Sequence, residues 1–93
     1  MVTGICRLEM ILYGSSSLKD KRRVVKSLID KIKSKYNVSI AEVDQNDKWS
    51  TAVIGVSTIS NSSVQVNKVL TSVINFIERD GRVEITGYHI DIL

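Results

Sequence analysis

The fold is decided near the middle of the chain, where residues 38 to 59 read VSIAEVDQNDKWSTAVIGVSTI. Val38–Asp44 and Thr51–Ile59 are both rich in β-branched residues, and the polar link Gln45–Lys48 lies between them. Two such runs joined by so short a link predict a β-hairpin. The segments on either side of this hairpin therefore decide the architecture.

A helix is predicted on each side of the hairpin. In Leu18–Tyr36 the apolar residues recur at helical spacing on one stripe, and Ser17–Asp20 reads as a capping box. After the hairpin, Ser62–Gln65 offers a second capping box, and the apolar residues of the range 66–77 share one face. Gly81 is the expected left-handed stop of this second helix.

The chain begins and ends in predicted strands. In Val2–Tyr13 the even-numbered residues are mostly apolar and the odd-numbered ones are mixed, as expected of a central strand with one buried face. In Val83–Ile92 the apolar alternation slips at Thr86 and Gly87. A bulge at Gly87 would bring five apolar side chains onto one face: Val83, Ile85, Tyr88, Ile90 and Ile92.

The order β-α-β-β-α-β predicts one α+β domain over residues 1–93. With right-handed crossovers this is the ferredoxin-like sandwich, a four-stranded antiparallel sheet with two helices on one face.

Hydrophobic residues make up 43% of the chain, which excludes a disordered protein. No run of 18 apolar residues occurs, so we expect no contact with a membrane.

The composition argues against most enzyme classes. Cys6 is the only cysteine and His89 the only histidine, and no glycine-rich loop, base–nucleophile pair or metal cluster can be assembled. We therefore expect no catalytic residue, no metal and no cofactor. The single cysteine fits a reducing cytoplasm.

A group of acidic residues lies at the predicted edge strand: Glu42, Asp44 and Asp47. By parity Glu42 and Asp44 share a strand face, as a cation site would need. We nevertheless expect these charges to prevent the edge strand from pairing with other chains, and not to bind a cation.

The first helix carries most of the positive charge. Eight of the thirteen Lys and Arg residues lie between Lys19 and Lys35, where only Asp20 and Asp30 oppose them. Six of them form a candidate phosphate-binding surface: Lys19, Lys21, Arg22, Arg23, Lys26 and Lys33. Lys21 points nearer the core and would have to extend outward. Like charges at i, i+4 repel each other and destabilise a helix, and a bound polyanion would relieve this repulsion. A merely solvated helix face is the open alternative.

The sheet face without helices predicts a second surface. The aromatic residues that stack bases in RNA-recognition sheets are missing from its central strands, apart from Tyr13 at the end of the first. An apolar patch on this face is predicted to mediate homodimerisation: Ile5, Ile11, Tyr13 and Val53. Cover by Arg7 and other long side chains is the alternative. Trp49 is predicted to cover one end of the core, or else to lie at an interface.

Several runs resemble a known family. Ser17–Leu28, with its Ser-Leu-Lys-x-Lys-Arg-Arg run, is similar to the signature of the YlxP family of small bacterial proteins. The likeness continues at Asn37–Val43, Trp49, Ala52 and Ile54–Val56. It departs at Asn61–Ser63, where an acidic residue is expected near a helix cap. The resemblance implies a ferredoxin-like fold and, from genes that neighbour translation-initiation and ribosome-maturation factors, a role near RNA or the ribosome. It supplies no established activity and no catalytic residues.

We therefore expect a cytoplasmic, non-catalytic RNA- or ribosome-associated protein that contacts phosphates through its first helix. Two alternatives remain open. One is a homodimeric interaction module whose basic helix meets an acidic protein. The other is a small-molecule regulatory domain, because ligand-sensing domains share this topology.

Overall fold

The computed structural model describes all 93 residues and confirms the β-α-β-β-α-β order. The elements are β1 (Val2–Leu12), α1 (Leu18–Lys35), β2 (Ser39–Asp44), β3 (Thr51–Ser60), α2 (Ser63–Glu78) and β4 (Val83–Ile92). The strands form one antiparallel sheet in the order β2-β3-β1-β4. The predicted ferredoxin-like architecture is therefore confirmed.

The core lies between the two helices and one face of the sheet. The even-numbered residues of β1 are buried there, and they pair with buried residues of β3: Cys6 with Val56, Leu8 with Ile54, and Met10 with Ala52. The helices complete the core with Val25, Leu28 and Ile32 from α1 and Val66, Leu70, Val73 and Ile77 from α2. Removal of this apolar surface from water is the main force that holds the sandwich together.

Both helices begin at the predicted serine caps. The Ser17 hydroxyl accepts a hydrogen bond from the Asp20 N–H at 3.1 Å, and the Ser62 hydroxyl accepts one from the Gln65 N–H at 3.3 Å. The Asp20 carboxylate reaches back one residue further than predicted, because it accepts from both the N–H and the hydroxyl of Ser16. The start of α1 is thus tied to the loop that precedes it.

The end of α2 differs from the prediction. The helix stops at Glu78, its C-cap residue Arg79 has right-handed backbone angles, and Gly81 does not have a positive φ. The predicted left-handed stop at Gly81 is therefore wrong. The Asp80 N–H donates to the Ile77 carbonyl at 3.0 Å, so a tight last turn satisfies the helix end instead.

A bulge in β4 lies where the sequence predicts it. Glu9 pairs with Gly87 and Met10 with Ile85, so Thr86 has no partner on β1. The shift brings all five apolar residues of β4 opposite inward-facing positions of β1, although only Val83 among them is fully buried.

A second bulge, in β2, was missed. Glu42 pairs with Ile54 and Asp44 with Val53, so Val43 is skipped. Glu42 consequently faces the helices and Asp44 faces the open side of the sheet. The expectation that these two carboxylates share a face is wrong, because the bulge reverses the parity between them.

At Gly4 the helix α2 packs so closely on β1 that a larger side chain would not fit. A Cβ at Gly4 would collide with Val66 Cγ1 and lie 3.0 Å from Leu70 Cδ1, and both of these side chains are fully buried. We predict that Gly4→Ala lowers the free energy of unfolding by about 2 kcal/mol. Gly81→Ala is the control, since nothing lies within 4 Å of its Cβ position, and should change stability by less than about 1 kcal/mol. Urea denaturation of both variants measures the difference; equal stabilities would contradict the packing described.

Candidate nucleic-acid interface

Five of the six predicted cationic residues project from one side of α1. Lys19, Arg22, Arg23, Lys26 and Lys33 are all exposed, and we call these five the basic stripe. At 100° per residue they fall within a sector of roughly 100°, centred well away from the buried residues of the same helix. The apolar side of α1 therefore fixes the helix while the stripe stays in solvent.

Four of the five stripe residues have no ionic partner. The Lys26 ammonium lies 2.9 Å from the Asp30 carboxylate, but the two form an exposed pair of the kind that contributes little to stability. No carboxylate lies within 4 Å of the charged groups of Lys19, Arg22, Arg23 or Lys33. These four side chains are free to bind an external anion.

Asp20 remains an anion beside the stripe. The Ser16 backbone N–H, and then the Ser16 hydroxyl, donate to its carboxylate and hold its pKa below the ordinary value. The nearby positive charge of Arg23 acts in the same direction. Because both bonds come from the loop before α1, Asp20 is used to fix the helix start and leaves the Arg23 guanidinium unpaired.

Lys21, the sixth predicted phosphate ligand, is fully buried. Its Nζ donates to the carbonyls of Gln45 and Lys48 at 2.6 Å each, and lies 2.7 Å from Glu42 Oε2. The geometry toward Glu42 is not that of an aligned hydrogen bond, so that contact is an ion pair. The prediction that Lys21 binds phosphate is wrong, because its ammonium is enclosed and already bound.

The position of Lys21 in the helix explains its burial. It precedes Val25 by four residues and Leu28 by seven, so it lies on the apolar stripe of α1. That spacing was readable in the sequence. The β2–β3 loop, whose two carbonyls bind the buried ammonium, could not be predicted. Every residue carries a backbone carbonyl, so the residue types of the loop do not reveal which carbonyls will bind Lys21.

The loop between β2 and β3 is fastened to the start of α1. Besides the two bonds from Lys21, the Ser15 hydroxyl donates to the Trp49 carbonyl at 2.6 Å. The side chains of Lys48 and Trp49 remain exposed, and half of the Trp49 surface is accessible. Trp49 thus leaves half of its surface in solvent, on a loop that is fastened to the start of α1, so it covers the core at most in part.

The predicted apolar patch on the open sheet face is only partly present. Ile5 and Tyr13 are exposed and Ile11 is half-buried, whereas Val53 is 1% exposed. The Tyr13 hydroxyl donates to the Glu84 carboxylate, which raises the pKa of Tyr13. The expectation that Val53 is part of an exposed patch is wrong.

A network of charges accounts for the burial of Val53. Its neighbours in the sheet are Glu9 on β1 and Asp44 on β2. The Arg7 guanidinium lies 2.7 Å from the Glu9 carboxylate and 3.8 Å from that of Asp44. Arg7 therefore extends across Val53, so the alternative of cover by Arg7 is the one the structure supports.

Comparisons with known proteins identify the family. The family model described as "Protein of unknown function (DUF503)" matches residues 3–90. The chain belongs to the DUF503 family. The uncharacterized protein YlxP of Bacillus subtilis (strain 168) is 37% identical over 83 residues, which are 89% of this chain and 90% of YlxP. The resemblance to the YlxP family is thereby confirmed.

The solved structures support the fold of this DUF503 chain. The solution NMR structure of the de novo designed protein LFR1 1, with a ferredoxin fold, matches 97% of this chain and 85% of its own with a TM-score of 0.61. At 17% identity this likeness shows the fold alone. The structure contains no cluster of three metal-ligating side chains, and neither helix is apolar enough over a sufficient length to cross a membrane.

Lys21 and Lys19 provide a matched pair of variants. Lys21→Met removes the ammonium that binds the loop and leaves Glu42, whose side chain is only 14% exposed, without its partner. We predict a loss of about 3 kcal/mol in the free energy of unfolding, as when one member of a buried ion pair is removed. Lys19→Met, on the solvent side, should change stability by less than about 0.5 kcal/mol. Guanidinium denaturation that shows equal stabilities would contradict a structural role for Lys21.

Proposed function

We propose that this DUF503 protein binds RNA, free or within a ribosomal particle, by placing the basic stripe of α1 against phosphates, with no catalytic step. The observation that carries the proposal is the set of four exposed cationic side chains on one helix face that no carboxylate of the chain neutralises. Lys21 belongs to the scaffold of the site and not to its binding surface.

The arrangement is costly in the absence of an anion. Lys19 and Arg23 are four residues apart, as are Arg22 and Lys26, and each like-charged pair opposes helix formation by a few tenths of a kcal/mol. Phosphates that bind along the stripe would remove this repulsion and release their condensed counterions. The stripe is therefore explained better by the binding of a polyanion than by a contribution to the stability of the fold.

Trp49 adds a second kind of contact to the proposed surface. The loop that carries it is held on the start of α1, and half of its side chain is accessible. An exposed aromatic ring can stack on an unpaired base. The proposed ligand is accordingly an RNA with a single-stranded loop, bound through phosphates and one base.

A charge-removal variant tests the stripe. Replacing Lys19, Arg22 and Lys33 by Gln removes three cations that have no ionic partner and leaves the core untouched. For a fluorescein-labelled RNA stem–loop we predict at least a tenfold loss of affinity, about 1.4 kcal/mol. With about five phosphate contacts in the parent, the slope of log K against log[salt] should change from about −3.5 to about −1.5.

The matched control removes the same charges elsewhere. Lys31, Lys68 and Arg79 are exposed residues outside the stripe, again two lysines and one arginine. Their replacement by Gln should weaken binding much less than the stripe variant does. Equal losses in the two variants would mean that only net charge matters, and unchanged binding in both would leave the stripe a solvated face.

The only tryptophan of the chain reports on the loop. If a base stacks on Trp49, the same stem–loop should quench tryptophan fluorescence with a midpoint equal to that of the labelled-RNA titration. A fully paired duplex of equal length should bind with little quenching, because it offers no free base. Equal quenching by duplex and stem–loop would contradict base stacking.

Nuclease treatment distinguishes RNA binding from the alternative, binding to an acidic protein. A tagged form of the protein captured from lysate should bring down RNA, and nuclease should abolish the capture of ribosomal proteins. Capture of an acidic protein that survives nuclease and depends on Lys19, Arg22 and Lys33 would support the alternative and contradict the RNA proposal.

A further inference from the structure

The strand β4 is an exposed edge of the sheet. The strand order leaves β4 paired with β1 alone, through nine of its ten residues. It contains neither lysine nor proline, the residues that most often protect an edge from pairing with another chain. Both edges carry a bulge, but the one in β4 at Thr86 leaves the six residues 87–92 regular, whereas the one at Val43 interrupts a strand of only six residues. Of the two edges, β4 therefore offers the longer regular stretch for another strand.

The unpaired backbone groups of β4 can be assigned. Leu93 and Thr3 exchange two backbone hydrogen bonds, at 2.7 and 3.3 Å, so they form a hydrogen-bonded pair between β4 and β1. Because such pairs alternate along an antiparallel ladder, Tyr88, Ile90 and Ile92 direct their N–H and C=O groups away from β1. These three residues present the open edge.

The same three residues carry the apolar side chains of the edge. They pair with Leu8, Cys6 and Gly4, which face the helices. Nevertheless Tyr88 is 56% and Ile92 42% exposed. On the opposite face His89 and Asp91 lie side by side, with His89 Nε2 3.0 Å from the Asp91 carboxylate.

We propose that β4 pairs antiparallel with β4 of a second copy of this chain, about a two-fold axis at Ile90. In this register Ile90 faces Ile90 of the second copy, and Tyr88 faces Ile92. About six backbone hydrogen bonds form, because all the outward-directed groups meet. The result is a continuous eight-stranded sheet with an isologous interface.

Hydrogen bonding between His89 and Asp91 side chains favours this register. With the axis at Ile90, His89 faces Asp91 of the second copy in a non-hydrogen-bonded pair, where side chains are closest. Moving the axis to His89 or to Asp91 would oppose two identical ionisable side chains. Leu93, 74% exposed, then lies opposite Gly87, where nothing occupies the Cβ position. The pairing of the two β4 strands ends after Gly87, because the bulge at Thr86 follows it.

This interface lies apart from the basic stripe and leaves α1 of both copies in solvent. It adjoins the open sheet face, because His89 and Asp91 lie opposite Arg7 and Ile5 of β1, but the two copies pair through the backbone of the β4 edge and not through that face. It therefore stands whether or not RNA binds.

The first test is a charge exchange at exposed positions. We expect a dimer of the parent at micromolar concentrations in sedimentation equilibrium. His89→Glu, which opposes Asp91 with a second carboxylate, should raise the dimer dissociation constant at least tenfold. The variant His89→Asp/Asp91→His should restore the dimer, since the exchanged partners again face each other. A monomeric parent, or a His89→Glu variant that dimerises as the parent does, would overturn the proposal.

The second test fixes the register. The native Cys6 is buried, so an introduced cysteine is the only accessible thiol. A mixture of the His89→Cys and Asp91→Cys variants should form an intermolecular disulfide under mild oxidation, because residues opposed in a non-hydrogen-bonded pair lie at disulfide distance. Each variant alone should cross-link much less. Equal yields from the single variants and the mixture would contradict this axis.

Discussion

The buried ammonium of Lys21 is the interaction on which the proposed binding surface depends. It joins three parts of the molecule that are separate in sequence: the first turn of α1, the Glu42 carboxylate on β2, and two carbonyls of the β2–β3 loop. A buried cation is costly unless it is paired and hydrogen-bonded, and here two carbonyls accept from it and Glu42 pairs with it. Because the loop is held in this way, Lys48 and Trp49 are positioned at the start of the helix that carries the stripe.

One short basic run therefore serves two purposes. In the sequence Lys19-Asp-Lys-Arg-Arg23, helical geometry sends Lys21 inward and leaves its basic neighbours in solvent. Asp20 is used to anchor the helix start through Ser16, so it neutralises none of the stripe cations by direct contact. The positive surface persists because Asp20 is engaged at the helix start and Asp30, the other carboxylate of α1, contacts only Lys26.

Element order, caps and core could be predicted from sequence because each has a local signature. The serine caps, the even-numbered apolar residues of β1 and the slip at Gly87 each depend on neighbouring residues, and all are confirmed. The errors have a different origin. The skipped residue Val43 is an ordinary strand residue, so parity gave no warning that Asp44 turns outward to Arg7.

The same bulge explains why Val53 is buried although it lies on the open sheet face. Once Asp44 and Glu9 flank Val53, Arg7 can bind both, and three charged side chains surround this one residue of the expected apolar patch, while Ile5 and Tyr13 stay exposed. Such a network depends on register between three strands, which is a tertiary property. The outward-directed groups of β4 likewise follow from its pairing with β1 and not from its composition.

The central claim is that phosphates lie along one face of α1. An RNA stem–loop titrated into ¹⁵N-labelled protein, followed by amide chemical shifts, locates the contact residue by residue. The account predicts perturbations at Lys19, Arg22, Arg23, Lys33 and the Trp49 indole N–H, with the amides of the open sheet face and of β4 unchanged. Perturbations confined to the sheet face, with α1 unaffected, would contradict it.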